Sequence, residues 1–351
     1  SSVYQLKYMD HVPDSAVCNE AVKLAVKKGF VNLKGFVNGV LRNISRNLES
    51  VKYPERSDEV SCLSIVYSLP VWMVEKWIAD YGTDAVENMG KAFLIERPVT
   101  VRRNTAVVSE DDFEKELKKD GVTYRKHPLL PYAYELTGYD YLAGLSGFQK
   151  GYFYVQDISS MQVAEWADPK TGDYVIDVCA APGGKAIHMA EKLRGSGHVE
   201  ARDLTDYKVA LIEENIERSG LDNIEAVRQD ATVDDESSHE KADILIADLP
   251  CSGLGILGKK PDLKSKMTLE TTKELAALQR QILSVVQKYV KSGGRLLYST
   301  CTINREENEE NTAWFVENFP NFEKIREKQM FPGNDMGDGF YIAEFRKNRT
   351  E

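Results

Sequence analysis

Cysteine is scarce in this chain: five occur in 351 residues, at positions 18, 62, 179, 251 and 301, and no two form a Cys-x-x-Cys pair. An odd, widely spread set excludes a disulfide framework and a cysteine-held zinc ion or redox pair, and reads as reduced thiols in the cytoplasm. Long apolar runs are missing as well. The most apolar stretch, Cys62 to Val74, is broken by Ser64, Ser68 and Pro70, far short of the roughly 18 residues of a membrane span. No basic start leads into an apolar core and a small-residue cleavage site, so nothing points to export, and a chain opening at Ser1 points to processing or truncation. Neither common nucleotide fingerprint is present. There is no G-x-G-x-x-G, and the phosphate-loop pattern fails because Lys185 is followed by Ala186 and position 179 is not glycine. That disfavours a dinucleotide or a nucleoside triphosphate against a smaller nucleoside ligand.

An excess of positive charge is the last absence. The net charge is −10, which taken alone argues against a nucleic-acid partner. Its distribution reverses that reading. Residues 201–250 carry fourteen acidic and five basic side chains, whereas 251–300 carry three and nine, and 1–56 carry five and nine. A basic surface drawn from the N-terminus and the 259–295 segment keeps a polyanionic partner open, although solvated faces produce the same asymmetry.

The composition, with 42% hydrophobic residues, supports more than one core. From Ser15 to Leu48 the apolar positions Val22, Leu24, Ala25, Phe36, Val37, Val40, Leu41 and Ile44 recur at helical spacing, split at Gly29. This predicts a helical fragment over residues 1–57, small for an independent core. Residues 58–147 open with helical pattern, Val71 to Tyr81 and Thr83 to Leu94. Extended pieces follow at Val99 to Arg102 and Thr123 to His127, around an amphipathic helix from Glu110 to Asp120. A small α+β domain is expected there. Residues 148–351 alternate strands with helices, the signature of a doubly wound α/β sheet. The strands are Tyr174 to Ala180, His198 to Asp203, Glu225 to Asp230, Ala242 to Asp248 and Gly294 to Ser299, with a closing strand from Gly339 to Arg346. Helices are predicted from Lys185 to Arg194, Asp206 to Arg218 and Leu269 to Lys291, and another is expected to start with Asn304 as cap and Glu307 reaching back to it.

The first of these strands runs into Cys179-Ala180-Ala181-Pro182-Gly183-Gly184-Lys185 at the carboxyl edge, where open α/β sheets bind ligands. Small residues let a ligand approach the backbone, and the helix start offers N–H groups. Asp203 ends the second strand, where a carboxylate can accept from ribose hydroxyls, and Asp230 closes the third, where it can accept from an adenine amine. Acids at strand ends are also common caps. Strand four ends at Asp248 and leads to Cys251; strand five leads to Cys301. Cys18 and Cys62 read as small buried hydrophobes, but Cys251 and Cys301 each sit just past an apolar strand, in a polar turn where a thiolate can form. A thiolate adding to carbon 6 of cytosine turns carbon 5 into a nucleophile able to take a methyl group. A neighbouring carboxylate steadies the ring while a second group helps remove the carbon 5 proton.

The runs DVCAAPGGK (177–185), ADLPCSG (247–253) and YSTCTINREENE (298–309) resemble the RNA cytosine-5 methyltransferases that use S-adenosylmethionine. The resemblance implies that Cys301 is the nucleophile, that Cys251 assists release and that Asp248 contacts the cytosine. It implies a cofactor site made of Cys179 to Lys185, Asp203, Asp230 and Asp248. Pro250-Cys251 also resembles the nucleophile motif of DNA cytosine methyltransferases, which would reverse the two cysteine roles; Thr300-Cys301 favours the RNA type. Outside this part, Tyr4 to Leu6, Asn19 to Val22 and Phe36 to Asn43 resemble the end of the NusB-like RNA-binding domain of the ribosomal small-subunit methyltransferase B (Sun/Fmu) branch, and Asp338 to Ala343 resembles that branch's closing strand. That implies a Rossmann-like class I methyltransferase sheet preceded by a small α+β domain and an all-α NusB-like fragment. It implies a cytoplasmic, metal-free, monomeric enzyme acting on 16S ribosomal RNA, with no membrane partner. Arg42, Arg46, Lys259, Lys260 and Lys264 are the expected RNA contacts. The run 258–262 keeps lysine charge without a guanidinium fork, so no bidentate phosphate contact is expected there. Three rivals remain: action on tRNA or another RNA, a non-catalytic RNA-binding assembly factor, and a NAD-dependent oxidoreductase, which would leave both rim cysteines unexplained.

Overall fold

The computed structural model describes residues 1–349, which gather into two compact units, Ser1–Val66 and Tyr67 onward. The first unit is helical: α1 (Ser2–Tyr8), α2 (Asp14–Lys27), α3 (Lys34–Asn47) and α4 (Glu59–Val66). Its buried centre is Leu6, Val17, Cys18 and Leu41, with Val37 and Ile44 partly covered. Leu24 and Phe36, expected on the buried face, are exposed. So short a stretch has too little interior for all of its apolar positions.

The second unit opens with α5 (Val71–Tyr81) and α6 (Thr83–Leu94), the two helices read from periodicity. A small antiparallel sheet follows. Its elements are β1 (Val99–Arg103), α7 (Glu110–Lys119), β2 (Thr123–Lys126), β3 (Ala133–Thr137), α8 (Ser146–Gln149) and β4 (Phe153–Val155), in strand order β2-β3-β1-β4. Helix α7 begins at Ser109, whose side chain accepts from the Asp112 N–H, and carries acids in its first turn and lysines in its last, matching the helix dipole at both ends. It buries Phe113 and Leu117 against Val101, Tyr134 and Phe153. Strand β3 carried no sequence expectation, and β4 falls inside the stretch 148–351 assigned to the following domain.

The remaining elements are α9 (Ile158–Ala167), β5 (Tyr174–Asp177), α10 (Gly184–Leu193), β6 (His198–Asp203), α11 (Asp206–Ser219), β7 (Ile224–Arg228), β8 (Ala242–Asp248), α12 (Leu263–Lys266), α13 (Leu269–Val286), β9 (Val290–Thr300), α14 (Glu309–Asn318), β10 (Phe322–Met330) and β11 (Phe340–Lys347). They build a seven-stranded sheet of order β10-β11-β9-β8-β5-β6-β7. Strands β5 to β9 are parallel; β11 runs antiparallel to β9 and β10. Both faces are covered. Ala186, Ile187, Met189 and Ala190 of α10 pack on one side, and Ile282, Leu283 and Val286 of α13 pack with Phe315 on the other. Hence the central strands are almost uninterrupted hydrophobic runs. The chain leaves β5 for β6 on one side and later returns to place β8 on the other, so the crevice at the carboxyl ends of β5 and β8 is the topological switch point.

Two expectations are corrected and one strand is added. Helix α13 ends at Val286, and Gly293-Gly294, read as its stop, lies inside β9, where Gly293 has φ 79° and the register with β8 shifts. The glycines make a bulge. Helix α14 begins at Glu309 with Asn308 as its cap, not at Asn304. Strand β10 was missed because it is an edge strand whose charged side chains face solvent, which hides the apolar signal.

Candidate functional site

Four loops meet at the switch point. The turn after β5 begins at Asp177, which is 1% exposed and has no hydrogen-bond partner on either carboxylate oxygen among the described residues. Burial, aided by the nearby Asp248 charge, pushes its carboxyl up to about 7. Gly183 sits at φ 106°, a conformation that favours glycine, and Gly184 opens α10 with nothing within 4 Å of where a Cβ would stand. Asp203 is 3% exposed; its Oδ2 accepts from the Ala181 N–H at 3.0 Å, and its Oδ1 accepts from the Leu204 N–H at 2.8 Å and pairs with Lys208 at 2.9 Å. The turn and the end of β6 are thereby tied. Asp230 lies two residues past β7 and accepts from the Thr232 N–H at 2.9 Å and hydroxyl at 2.7 Å, which lowers its pKa.

Asp248 ends β8 and stands opposite Ser299 in the ladder. Its Oδ2 holds the Lys185 ammonium at 2.6 Å, and its Oδ1 accepts from the Ser299 hydroxyl at 2.7 Å. Burial opposes the Lys185 charge, but Asp248 outweighs it and the amine stays above its ordinary pKa. Three residues past Asp248 and two past Ser299 come the cysteines, with Cys251 Sγ 3.3 Å from Cys301 Sγ. Their environments split them. The hydrogen bond from Cys251 is the main influence lowering Cys301, helped against burial by Lys185 and Lys260 and opposed by Asp248. The same bond, then burial and the negative charges of Cys301, Glu307 and Asp248, hold Cys251 well above its usual value. Burial also pushes the Cys179 thiol up, reinforced by Asp177, Asp203 and Asp248. Of these three thiols, Cys301 is the one whose surroundings favour the thiolate over its usual balance.

The expected RNA contacts fare differently. Lys259 is committed internally, pairing with Asp157 at 2.7 Å and Asp338 at 2.6 Å. Two carboxylates thus already pair with the charge expected to meet a phosphate. Lys264 is partly buried and donates to the Tyr67 carbonyl at 3.2 Å. Lys260 is exposed, and its charge reaches Cys301. In the first unit, Arg42 and Arg46 are exposed; Arg42 donates to Asn38 and Arg46 to the Arg42 carbonyl. Asp177, Ser299 and Glu307 were not singled out as site residues. Asp177 had a signal, an acid closing a buried strand, whereas Glu307 was already accounted for as the carboxylate reaching back to a helix cap at Asn304. Among the described residues no group of three or more His, Cys, Asp or Glu could hold a metal ion, and no single helix is long and apolar enough to cross a membrane.

Three family models match the chain: 16S rRNA methyltransferase RsmB/F over residues 164–346, the NusB family over 1–46, and the ferredoxin-like domain of RsmF/B-like methyltransferases over 69–139. A Bacillus subtilis protein named probable ribosomal RNA small subunit methyltransferase B is 37% identical over 365 residues, covering 99% of this chain and 81% of its own length. The crystal structure of PH0851 superposes with a TM-score of 0.86 at 27% identity, covering 99% of this chain and 80% of that one. NSun6 from Pyrococcus horikoshii, solved with the S-adenosylmethionine analogue SFG, shares the fold at TM-score 0.70 and 24% identity, over 79% of this chain and 97% of that one.

Proposed function

Because the chain belongs to the RsmB/F family of S-adenosylmethionine-dependent ribosomal RNA methyltransferases, we propose that it methylates carbon 5 of a cytosine in 16S ribosomal RNA through a covalent bond between Cys301 and carbon 6. The observation that carries this reading is the pair of sulfurs 3.3 Å apart beside the Lys185–Asp248 ion pair. Action on small-subunit RNA follows the name of the Bacillus relative.

The residues present suit the cofactor. Open space at Gly184, the N–H groups that begin α10 and the buried Asp203 carboxylate form a cradle at the carboxyl edge of β5 and β6. Cys179 to Lys185 and Asp203 would hold it, with Asp230 and Asp248 at the rim. S-adenosylmethionine supplies an electrophilic methyl group on a sulfonium. Everything else falls to side chains. The Cys301 thiolate forms a sulfur–carbon bond at carbon 6, and the displaced electron pair makes carbon 5 the nucleophile that takes the methyl group. Asp248 and Lys185, already paired, present an acceptor and a donor to the ring edge and offset its changing charge. Once the Cys301 charge is spent in the new bond, the two strongest influences of its neighbour on Cys251 vanish. Cys251 can then pass its proton to water and accept the proton of carbon 5. The carbon–sulfur electrons return to Cys301 as that bond breaks, one proton has gone to solvent, and the sulfur pair again shares one. The target base must leave its stack to reach this rim.

The test incubates Cys301→Ala and Cys251→Ala with 16S RNA and S-adenosylmethionine, followed by denaturing gels. Cys301→Ala should lose turnover and form no adduct. Cys251→Ala should lose turnover yet accumulate a denaturant-resistant protein–RNA adduct, because attack proceeds while release fails. An adduct from Cys301→Ala and none from Cys251→Ala would reverse the roles, full turnover by Cys301→Ala would remove Cys301 as the nucleophile, and no methyl transfer by the wild type would leave a passive RNA binder. Mapping labelled methyl groups in 16S RNA against tRNA separates the substrates.

A further inference from the structure

Behind the sulfur pair lies a carboxylate with no role in the steps above. Glu307 has no exposed surface, and four hydrogen bonds converge on its two oxygens. Its Oε2 accepts from the Ser252 N–H at 2.9 Å and from Gln279 at 3.2 Å; its Oε1 accepts from the Ser252 hydroxyl and from Asn304 at 3.0 Å. Burial pushes this carboxyl above its usual value, and the four donors, with no acceptor among them, work against burial to favour the ionised form. Ser252 directly follows Cys251, and Thr302 directly follows Cys301. The two hydroxyls meet at 2.8 Å, and because the Ser252 hydrogen points to Glu307, the Thr302 hydroxyl donates to Ser252 and accepts in turn from the Asn304 N–H. Gln279 completes the clamp by donating to the carbonyl of Pro250, the residue before Cys251, at 2.8 Å. The chain segments on both sides of Cys251 and just after Cys301 are thus fastened to one buried anion.

We propose that Glu307 is a positioning residue that acts through Ser252 and Thr302 to hold Cys251 and Cys301 in sulfur contact, and that its charge decides which of the two sulfurs carries the proton. This rests on the cysteine reading above. The charged and titratable groups around the pair are Asp248, Lys185, Lys260 and Glu307, with the Tyr298 hydroxyl donating to the Glu307 carbonyl. Of these, the Glu307 charge opposes ionisation of Cys251, whereas Lys185 and Lys260 favour the Cys301 thiolate. Negative charge behind one sulfur and positive charge before the other polarise a pair that would otherwise share its proton evenly.

The experiment uses the full chain, reduced and without RNA. Iodoacetamide alkylation of Cys251 and Cys301 is followed from pH 5 to 10 by peptide mass spectrometry, in the wild type, in Glu307→Gln, and in Ser252→Ala/Thr302→Val, which keeps the charge but removes both linking hydroxyls. Wild-type Cys301 should react first. In Glu307→Gln the Cys251 midpoint should fall and the Cys301-to-Cys251 rate ratio should drop at least tenfold. Turnover should drop by a similar factor, while affinity for S-adenosylhomocysteine stays within twofold. The double variant should show a smaller loss of selectivity in the same direction, and it carries the test should Glu307→Gln not fold. Unchanged alkylation midpoints in a folded variant, even with a lowered melting temperature, would reduce Glu307 to a structural residue and overturn the proposal. Because no RNA is present, this readout stands apart from the adduct gels: lack of an adduct defeats the covalent reading, and lack of a midpoint shift defeats this one.

Discussion

At the scale of single residues the site depends on a few carboxylates whose surroundings differ sharply. Asp203 is buried and already accepts from Ala181 and Leu204, with Lys208 beside it. Its place at the end of β6 makes it the expected ribose contact. Asp203→Ala should weaken S-adenosylhomocysteine binding by about 1.5 to 3 kcal/mol, the scale of hydrogen bonds to a charged group, and calorimetry showing unchanged affinity would remove that role. Asp157 and Asp338 share Lys259, and one ammonium cannot neutralise two carboxylates: Asp157 is held down to about 2, against burial and chiefly by the Lys259 charge, while burial and Asp157 push Asp338 up to about 6. A carboxyl raised above its unfolded value of about 3.9 stabilises the fold below that pH, and the contribution is lost as pH rises through the folded value. Wild-type stability should therefore fall between pH 4 and 6 by up to about 3 kcal/mol from this group. Asp338→Asn should flatten that part of a urea-midpoint profile, and an unaltered slope would contradict the assignment.

At the scale of elements, the turn after β8 is pinned against the strand that closes the sheet. The Gly255 N–H donates to the Cys301 carbonyl at 3.1 Å, the Gly339 N–H donates to the Gly255 carbonyl at 2.9 Å, and a Cβ on Gly255 would lie 2.0 Å from the Gly339 carbonyl oxygen. Backbone meets backbone there, so nothing yields cheaply. Gly255→Ala should cost about 1 to 3 kcal/mol, as overpacking does, and should displace the Cys301 turn from Cys251. The measurement is thermal unfolding together with methyl transfer: a variant with wild-type turnover would show that the β11 start does not support the cysteine turns. The same turn explains why Glu307 belongs to the site and not to a cap. Helix α14 starts two residues later, at Glu309, leaving Glu307 to turn inward toward Ser252.

For the whole molecule, Lys260 near the cysteines and Arg42 and Arg46 in the helical first unit are exposed basic residues, and we propose that they meet RNA. Binding should weaken steeply with salt, because each neutralised phosphate releases counterions. Lys260→Ala should reduce the slope of log affinity against log salt by about 0.7, the single-strand value per phosphate. Lys259→Ala should leave that slope near wild type, since its charge is already paired. Filter binding across a salt series compares the two, and equal slopes for both variants would return Lys259 to the RNA surface. Arg42→Ala/Arg46→Ala should lower affinity for long RNA without changing turnover on a short saturating oligonucleotide.

Local pattern in the sequence already determined the helix–strand alternation from β5 to β9, the ends of α5 and α6, the glycine turn, and the placing of Asp203, Asp248, Cys251 and Cys301 at strand ends. Each is encoded within a few consecutive residues, by periodicity, by a turn-forming glycine or by an acid closing an apolar run. What required the folded chain is set by partners far apart in sequence. The sulfur contact joins residues fifty positions apart. Lys259 is paired by Asp157 and Asp338, which are remote from it along the chain. Gly293-Gly294 looks like a helix stop until pairing with β8 makes it a bulge. Glu307 reads in the sequence as a carboxylate reaching back to a cap at Asn304, and only the folded chain shows it turned toward Ser252 and Gln279. A charge or a hydroxyl has no intrinsic direction along the chain; its meaning comes from which non-local group neutralises it, and tertiary packing makes that choice.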